Sequence, residues 1–191
     1  MGVSDELLRL LALPNPGATV SRMFECGVLP VILPEVGQAH IGALTTLTAQ
    51  EEAQSIAPDP IRRLAALLPP SPDVAETLAA RLRLSKSQRA RLVSAAERLV
   101  EDAHNTQALA YSIGVSFAVD RLLLLGRDAQ ATSNWQPPTF PLKGGTIVAR
   151  GVQAGPDVAR ILQTVERRWV EEGFPDSNRV AALLDEELKE S

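Results

Sequence analysis

The sequence predicts an all-α fold, in which a multi-helix body is followed by a small helical tail. Apolar residues recur at helical spacing along most of the chain, whereas the alternating pattern typical of strands is almost absent. The composition is 45% hydrophobic but only 4% aromatic. Leucine, alanine, valine and isoleucine must therefore fill the core, which suits packed helices better than sheets.

The first part of the body reads as short helices that end at proline or glycine. Pro14 and Pro16 end the first predicted helix, and Gly27 closes the second. Two prolines in the sequence VLPVILPE allow only a short helical turn there. A longer helix follows this turn. The predicted helices are residues 5–13, 17–26 and 38–56.

The second part of the body carries clearer start signals. Pro60 and Pro72 each stand in the first turn of a helix, where proline is tolerated because its missing N–H has no intrahelical partner there. Ser85 and Gln88 have the spacing of a capping box, which predicts a sixth helix that runs to about Ala103. A seventh helix is predicted over 105–125.

A connector is predicted at residues 127–142, which contain Ser, Asn, Gln and two adjacent prolines. It separates a helical body, residues 1–126, from a tail, residues 143–191. Within the tail we expect a brief extended piece at 146–149, followed by two helices. These helices are predicted from Pro156 to Glu172 and from Asp176 to Glu190, with Gly173 between them.

Composition also limits the classes of partner and the cellular setting. The net charge of −4 and the pI of about 5.3 argue against a chain coated in positive charge for indiscriminate nucleic-acid binding, although a local basic face remains compatible with them. Cys26 is the single cysteine, so no intramolecular disulfide forms, and we expect it to be buried and structural. The opening residues MGVSDELLRL carry acids where a secretory signal has a basic region, so we expect no such signal, and the apolar stretch 108–125 is interrupted by charges. We therefore expect a cytoplasmic protein that binds neither membrane nor DNA.

Residues that carry catalytic or metal chemistry are scarce. His40 and His104 have no second ligand at helical spacing, so we interpret them as surface or core histidines and predict no metal site. No Asp-x-Asp pair occurs in the sequence, and metal-dependent nucleotidyl transfer needs closely set carboxylates. We therefore expect no catalytic residue and no cofactor in this chain.

A locally basic stretch lies between residues 81 and 98, and a phosphate backbone would suit it. The alternative is a solvated helix face whose cations pair with acids elsewhere. The candidate RNA-binding residues in this stretch are Arg81, Arg83, Lys86, Arg89 and Arg91.

A second candidate site lies in the tail, at the sequence GVQAGP. Two glycines and a proline lead into a helix whose free N–H groups can hold a phosphate, although Asp157 in the first turn would repel one. A plain Gly-Pro helix start is the alternative. The candidate residues here are Lys143, Arg150, Gly151 and Gly155.

Five blocks of sequence resemble, in this order, the C-terminal half of bacterial CCA-adding tRNA nucleotidyltransferases, which are class II enzymes of the poly(A) polymerase-like superfamily. The blocks are ELLRLLALPNP, RMFECGVLPVILPE, DPIRRLAALLP, RLRLSKSQRARL and FPLKGGTIVARGVQAGPDVARILQTVERRWVEEGF. They cover most of the chain. The chain departs from the family pattern at Gly144 to Ile147 and at Asp157, which weakens any tRNA contact assigned to the side chains there.

The resemblance implies that residues 1–126 hold the end of the neck together with the body, and that they act with the tail in tRNA processing. Body and tail would grip the acceptor and T arms of tRNA, while the catalytic head that adds the 3′ CCA end with Mg, ATP and CTP has no counterpart in this sequence. The chain alone is therefore expected to be inactive as a transferase. CCA addition, A-only addition and poly(A) synthesis stay open, because the nucleotide-selecting residues belong to the head and neck. A non-enzymatic helical module that binds protein through an apolar groove is the alternative function.

Overall fold

A computed structural model describes residues 2–190 of the chain. Within these residues there are thirteen α-helices, one short 3-10 helix and no strand, which confirms the predicted all-α class. No helix of this range is both long enough and apolar enough to cross a membrane. The chain divides after Trp135 into two compact units.

Unit 1, up to Trp135, contains ten α-helices among the residues described. Their bounds are α1 Val3–Ala12, α2 Gly17–Glu25, α3 Leu29–Ile32, α4 Gln38–Ala53, α5 Pro60–Ala66, α6 Pro72–Arg81, α7 Lys86–Ala96, α8 Thr106–Ile113, α9 Val115–Leu124 and α10 Gln130–Ser133. The 3-10 helix is Val100–Ala103, between α7 and α8.

Helix α5 lies at the centre of unit 1, because α1, α4, α7 and α9 all pack against it. Every residue from Ile61 to Ala66 is buried. The Asp59 carboxylate caps the helix by accepting hydrogen bonds from the N–H groups of Ile61 and Arg62, and Pro60 occupies the first turn as predicted. The surrounding core consists mainly of leucine and alanine side chains.

Two local predictions about unit 1 agree with the structure. Ser85 and Gln88 form the predicted capping box: the Ser85 hydroxyl accepts from the Gln88 N–H at 3.3 Å, and the Gln88 side chain accepts from the Ser85 N–H at 2.9 Å. The short helical turn after Gly27 is also present, as α3.

Two predictions about unit 1 helices are wrong. The sixth predicted helix ends at Ala96 and not near Ala103, because Leu99 adopts extended backbone and the 3-10 helix begins after it. The seventh predicted helix is two helices, which meet at Gly114 with φ 94° and ψ 148°. That conformation is open to glycine but strained for other residues, so the chain turns there.

The stretch predicted as a connector contains α10, which packs against α8 and α9. Ala129 and Thr132 are buried. This part of the stretch therefore belongs to unit 1.

Unit 2 begins at Gln136 and contains three α-helices among the residues described. Their bounds are α11 Gly144–Ala149, α12 Pro156–Glu171 and α13 Ser177–Glu190. Helix α11 replaces the extended piece predicted at 146–149. Burial of Ile147 within this unit outweighs the strand preference of the β-branched residues.

Trp169 is the largest side chain buried in the described part of unit 2, with 2% of its surface exposed. The rings of Phe140 and Phe174 lie 5.1 and 4.9 Å from its ring, centroid to centroid. Its indole N–H donates to the Pro175 carbonyl oxygen at 2.8 Å, which satisfies the one polar group of the side chain.

Candidate nucleic-acid interface

The basic stretch predicted from the sequence spans the end of α6 and most of α7. Arg81 is the last residue of α6, and Arg83 lies in the connection between the helices. Lys86 begins α7, which also carries Arg89 and Arg91. Helices α6 and α7 pack against each other, so these side chains belong to one region of unit 1.

Three of the five candidate cations are already bound to acids. Arg81 holds both oxygens of Glu35, at 2.8 and 2.9 Å, and Arg89 pairs with Glu76 on α6. Burial acts to raise the pKa of Glu35, but hydrogen bonds from Arg81 and from the backbone outweigh it and hold that pKa below its ordinary value. The stretch is thus partly neutralised by acids distant in sequence.

Arg91 is the most strongly held of the three. Its guanidinium pairs with Asp120 at 2.6 Å and with Asp59 at 2.6 Å, and its side chain is only 23% exposed. Hydrogen bonds to Asp120 and the charges of both acids raise its pKa, although burial opposes them. Arg91 therefore has less freedom to contact a phosphate than the exposed cations of the stretch.

Arg83 and Lys86 have different surroundings. Both residues are exposed, and neither forms an ion pair or a side-chain hydrogen bond with any residue described in the structure. Two cations of the predicted set thus remain available to an external anion.

Arg83 also holds an unusual backbone conformation, with φ 53°. It follows α6 at the position where a helix commonly ends on glycine, and the N–H groups of Arg83 and Leu84 bond back to Ala80 and Ala79. A non-glycine residue in this region costs roughly 1 kcal/mol or more. The arginine stands where local stability alone would favour glycine.

A buried ion network is joined to the basic stretch through Arg91, and no pattern in the sequence predicted it. Glu51 on α4 binds Arg62 at 2.6 Å and Arg63 at 2.8 Å, and Arg62 also binds Asp120 at 2.7 Å. All four side chains are at most 5% exposed. Arg91 and Asp59 complete the network, so three arginines face three carboxylates and their formal charges cancel.

The network also fixes the end of α1. Arg63 donates to the carbonyl oxygen of Leu11 at 2.8 Å and to that of Leu13. These carbonyls lack intrahelical partners because the helix ends there. The DPIRR sequence therefore has a structural role in this chain, since its aspartate caps α5 and its two arginines neutralise buried acids.

The tail candidates lie together around α11 and the start of α12. Lys143 precedes α11, is exposed and forms no ion pair within the described residues, whereas Arg150 pairs with Asp185 at 2.5 Å. Gly151 and Gly155 have φ of 95° and 148°, which glycine adopts readily. Pro156 then opens α12 as predicted.

Among the remaining residues singled out from the sequence, the prediction for Cys26 is wrong. Cys26 is exposed, not buried, because it caps the end of α2 where the chain turns toward α3. His104 is exposed, and the half-buried His40 accepts a hydrogen bond from the Gly37 N–H at 2.9 Å. Among residues 2–190 no group of three or more His, Cys, Asp or Glu is placed to hold a metal ion.

An apolar surface formed by α2 and the residues between α2 and α3 was also missed from the sequence. A groove of about 410 Å³ is lined by Ala18, Thr19, Arg22, Met23, Cys26 and Val28. Val31 nearby in the sequence is 82% exposed. The sequence could not reveal this surface, because apolar residues at these positions are equally compatible with a buried helix face. Only the structure shows that Cys26 and Val31 are exposed.

Comparison with known protein families matches residues 3–39, which span α1 to the start of α4, to the family described as the probable RNA and SrmB-binding site of polymerase A. No curated protein matches the chain. The matched segment includes Glu35, the partner of Arg81, and all the lining residues of the apolar groove. Residues 3–39 therefore resemble an RNA-binding region of polymerase A-like proteins.

Proposed function

We propose that the chain is the tRNA-binding body and tail of a tRNA nucleotidyltransferase that adds or repairs the 3′ CCA end. The similarity of residues 3–39 to an RNA-binding region carries this proposal. The five ordered blocks described above support its extension to tRNA. Catalysis with Mg, ATP and CTP would belong to a head carried elsewhere, and the role of this chain would be to position the acceptor and T arms.

Arg83 and Lys86 are the residues best placed to contact RNA. Both are exposed and free of acidic partners among the described residues, and a guanidinium holds phosphate oxygens through two hydrogen bonds. Lys143 offers a corresponding free cation in unit 2. Since an A-form stem presents shape and phosphates rather than a readable major groove, binding should depend little on tRNA sequence.

Filter binding of tRNA at several salt concentrations tests the proposal. We expect Arg83→Gly and Lys86→Gln each to weaken binding and to reduce the salt slope by about 0.7 to 0.9 per lost phosphate contact. Arg83→Gly should leave the free energy of unfolding unchanged or raise it by up to about 1 kcal/mol, because glycine relieves the positive φ.

Arg167→Gln is the matched control, since it also removes one exposed positive charge, 69% exposed and distant in sequence from the candidates. It should leave both affinity and slope unchanged. An absence of tRNA binding by the unaltered chain, or an equal loss in the control, would contradict the proposal.

A second function, protein docking, is favoured by the apolar groove formed by α2 and the residues that follow it. The matched family is described as binding SrmB as well as RNA, and all the lining residues of the groove lie within the matched segment. Val28 lines the groove and is exposed. Binding to purified SrmB that persists at high salt and is lost in Val28→Asp would support docking, because apolar contacts are not screened. Under the first proposal, Val28→Asp should leave tRNA binding intact.

A further inference from the structure

A cleft of about 340 Å³ in unit 1 lies outside the candidate interface. It is bounded by α4, the residues that follow α5, Arg98 after α7, and the end of α9. Its size lies within the range of small-molecule sites. The lining residues are His40, Ala43, Thr46, Leu47, Gln50, Ala66, Leu68, Pro70, Arg98, Leu123, Leu124, Leu125 and Gly126, which include no acid.

Arg98 in this cleft differs in its partners from the other largely buried arginines of unit 1. Arg62, Arg63 and Arg121 each face a carboxylate. Arg98 forms no ion pair with a described residue, and its guanidinium donates only to the Ala95 carbonyl oxygen, at 2.9 Å. Burial lowers its pKa. A largely buried cation without a carboxylate partner is costly, and an external anion bound beside it would neutralise its charge.

Gln50 supplies a second group with unused hydrogen-bonding capacity. Its Oε1 atom is buried and has no hydrogen-bond partner among the described residues, and its Nε2 atom lies toward Gly126, 3.5 Å from where a Cβ there would stand. His40 contributes a ring N–H as well, because its Nδ1 accepts from the Gly37 N–H and the proton therefore sits on Nε2. The side chains of Arg98, Gln50 and His40 thus bring unused hydrogen-bonding capacity to a cleft whose other lining residues are mostly leucine and alanine.

We propose that this cleft binds a single nucleotide. Arg98 would hold the phosphate, the leucine side chains would cover the faces of the base, and the Gln50 amide would bond the base edge. An amide with both a donor and an acceptor pairs naturally with a base edge, which also presents both. Two sources supply such a ligand, a free nucleotide and an unstacked residue of bound RNA; only the second rests on the proposed function.

Titration of the full chain with each free 5′-mononucleotide, followed by NMR chemical shifts, tests the cleft directly. We expect saturable shifts of His40 and Gln50, with affinity at least tenfold weaker in Arg98→Gln and in Gln50→Leu. Arg167→Gln serves as the charge-matched control and should bind as the parent does. Ala43→Phe, at an exposed lining position, should block the cleft while leaving both polar groups in place.

The ligand class is tested by smaller and more apolar compounds. Inorganic phosphate or ribose 5-phosphate binding as tightly as a nucleotide would overturn the role of the base, and octanoate binding in place of nucleotides would reassign the cleft to fatty acids. Circular dichroism verifies that each variant is folded.

Separate filter binding of tRNA distinguishes the two proposals. Nucleotide binding without tRNA binding would contradict the proposed function and leave the cleft supported. Binding of tRNA without any mononucleotide shift would overturn the cleft alone. If the unaltered chain binds a mononucleotide and Arg98→Gln also loses affinity for tRNA, the occupant of the cleft is a nucleotide of the RNA.

Discussion

Glu51 shows how one residue can decide the role of several others. Glu51 is 1% exposed and forms ion pairs with two arginines of α5. Its negative charge therefore neutralises buried positive charge, and the arginines in turn neutralise the carboxylate. Burying a charge without a partner is costly, and removal of one member leaves the rest uncompensated. The arginines of DPIRR therefore belong to the interior and are unavailable to an RNA phosphate.

Replacing Glu51 by Gln should destabilise the chain by about 3 kcal/mol, because Arg63 loses its only carboxylate within the described residues. Urea denaturation followed by circular dichroism measures this change. Glu52→Gln is the control, since the neighbouring residue is exposed and forms no ion pair within the part of the chain that the structure describes, and it should shift stability by less than about 0.5 kcal/mol. If both variants lost the same amount of stability, the buried ion network would make no specific contribution to the free energy of unfolding.

Local charge density located the basic stretch, but it did not reveal which cations are engaged. The acids that bind Arg81 and Arg89 lie 46 and 13 residues away along the chain, and Asp120, one of the two acids that bind Arg91, lies 29 residues away. Pairing over such distances is decided by how α6 and α7 pack, which no local pattern reports. Whether any of these residues contacts RNA stays a prediction.

At the scale of elements, helices with polar caps could be predicted and internal breaks could not. The capping box of Ser85 and the first-turn proline Pro60 indicated where their helices begin, because each signal acts within a single helical turn. Gly114, in contrast, lies inside an apolar helical pattern, where a glycine is compatible both with one continuous helix and with a break between two helices. The short helix α11 was missed because its formation depends on burial of Ile147.

Gly114→Ala should lower the free energy of unfolding by about 1–3 kcal/mol, because alanine is strained at a φ of 94°. Gly42→Ala provides the contrast: this glycine lies within α4 with open space around its Cβ position, so alanine should stabilise by about 0.5–1 kcal/mol. Thermal unfolding of both variants measures the difference. A stable Gly114→Ala chain would indicate that α8 and α9 tolerate fusion.

The α12–α13 pair should weaken in acid. Hydrogen bonds from Arg179 lower the pKa of Glu172, and hydrogen bonds from Arg168 and Arg179 lower that of Glu186. Carboxylates with depressed folded pKa values stabilise above their ordinary value of 4.5, and this contribution is lost as pH falls through the folded pKa values.

The unfolding midpoint, measured by circular dichroism from pH 7 to about pH 3, should therefore fall, and Arg179→Gln should reduce the fall. Arg167→Gln, whose ion pair with Glu171 spans 4.0 Å, should behave as the parent chain does. An identical pH profile in Arg179→Gln would contradict the role of this cluster.

At the scale of the whole molecule, an acidic chain carries a few cations that are free to bind. With a net charge of −4, affinity for RNA would have to arise locally and decline steeply with salt. The proposed division of labour assigns binding to this chain and chemistry to a separate head.

The chain alone should incorporate no nucleotide into tRNA that lacks its CCA end. Metal-dependent transfer needs closely set carboxylates, and the sequence contains no Asp-x-Asp pair. Incubation with labelled CTP, ATP and magnesium, beside an intact CCA-adding enzyme as positive control, measures this. Robust incorporation by a preparation free of host enzyme would show that a catalytic site has been overlooked.

The aromatic cluster of unit 2 has a practical consequence. The chain contains two tryptophans, and they fall in different units: Trp135 ends unit 1, and Trp169 lies in the core of unit 2. Each unit thus carries its own intrinsic fluorophore. Replacing Trp169 by Phe leaves emission from unit 1 alone, and replacing Trp135 by Phe leaves emission from unit 2, so that the melting of each unit can be recorded in the intact chain.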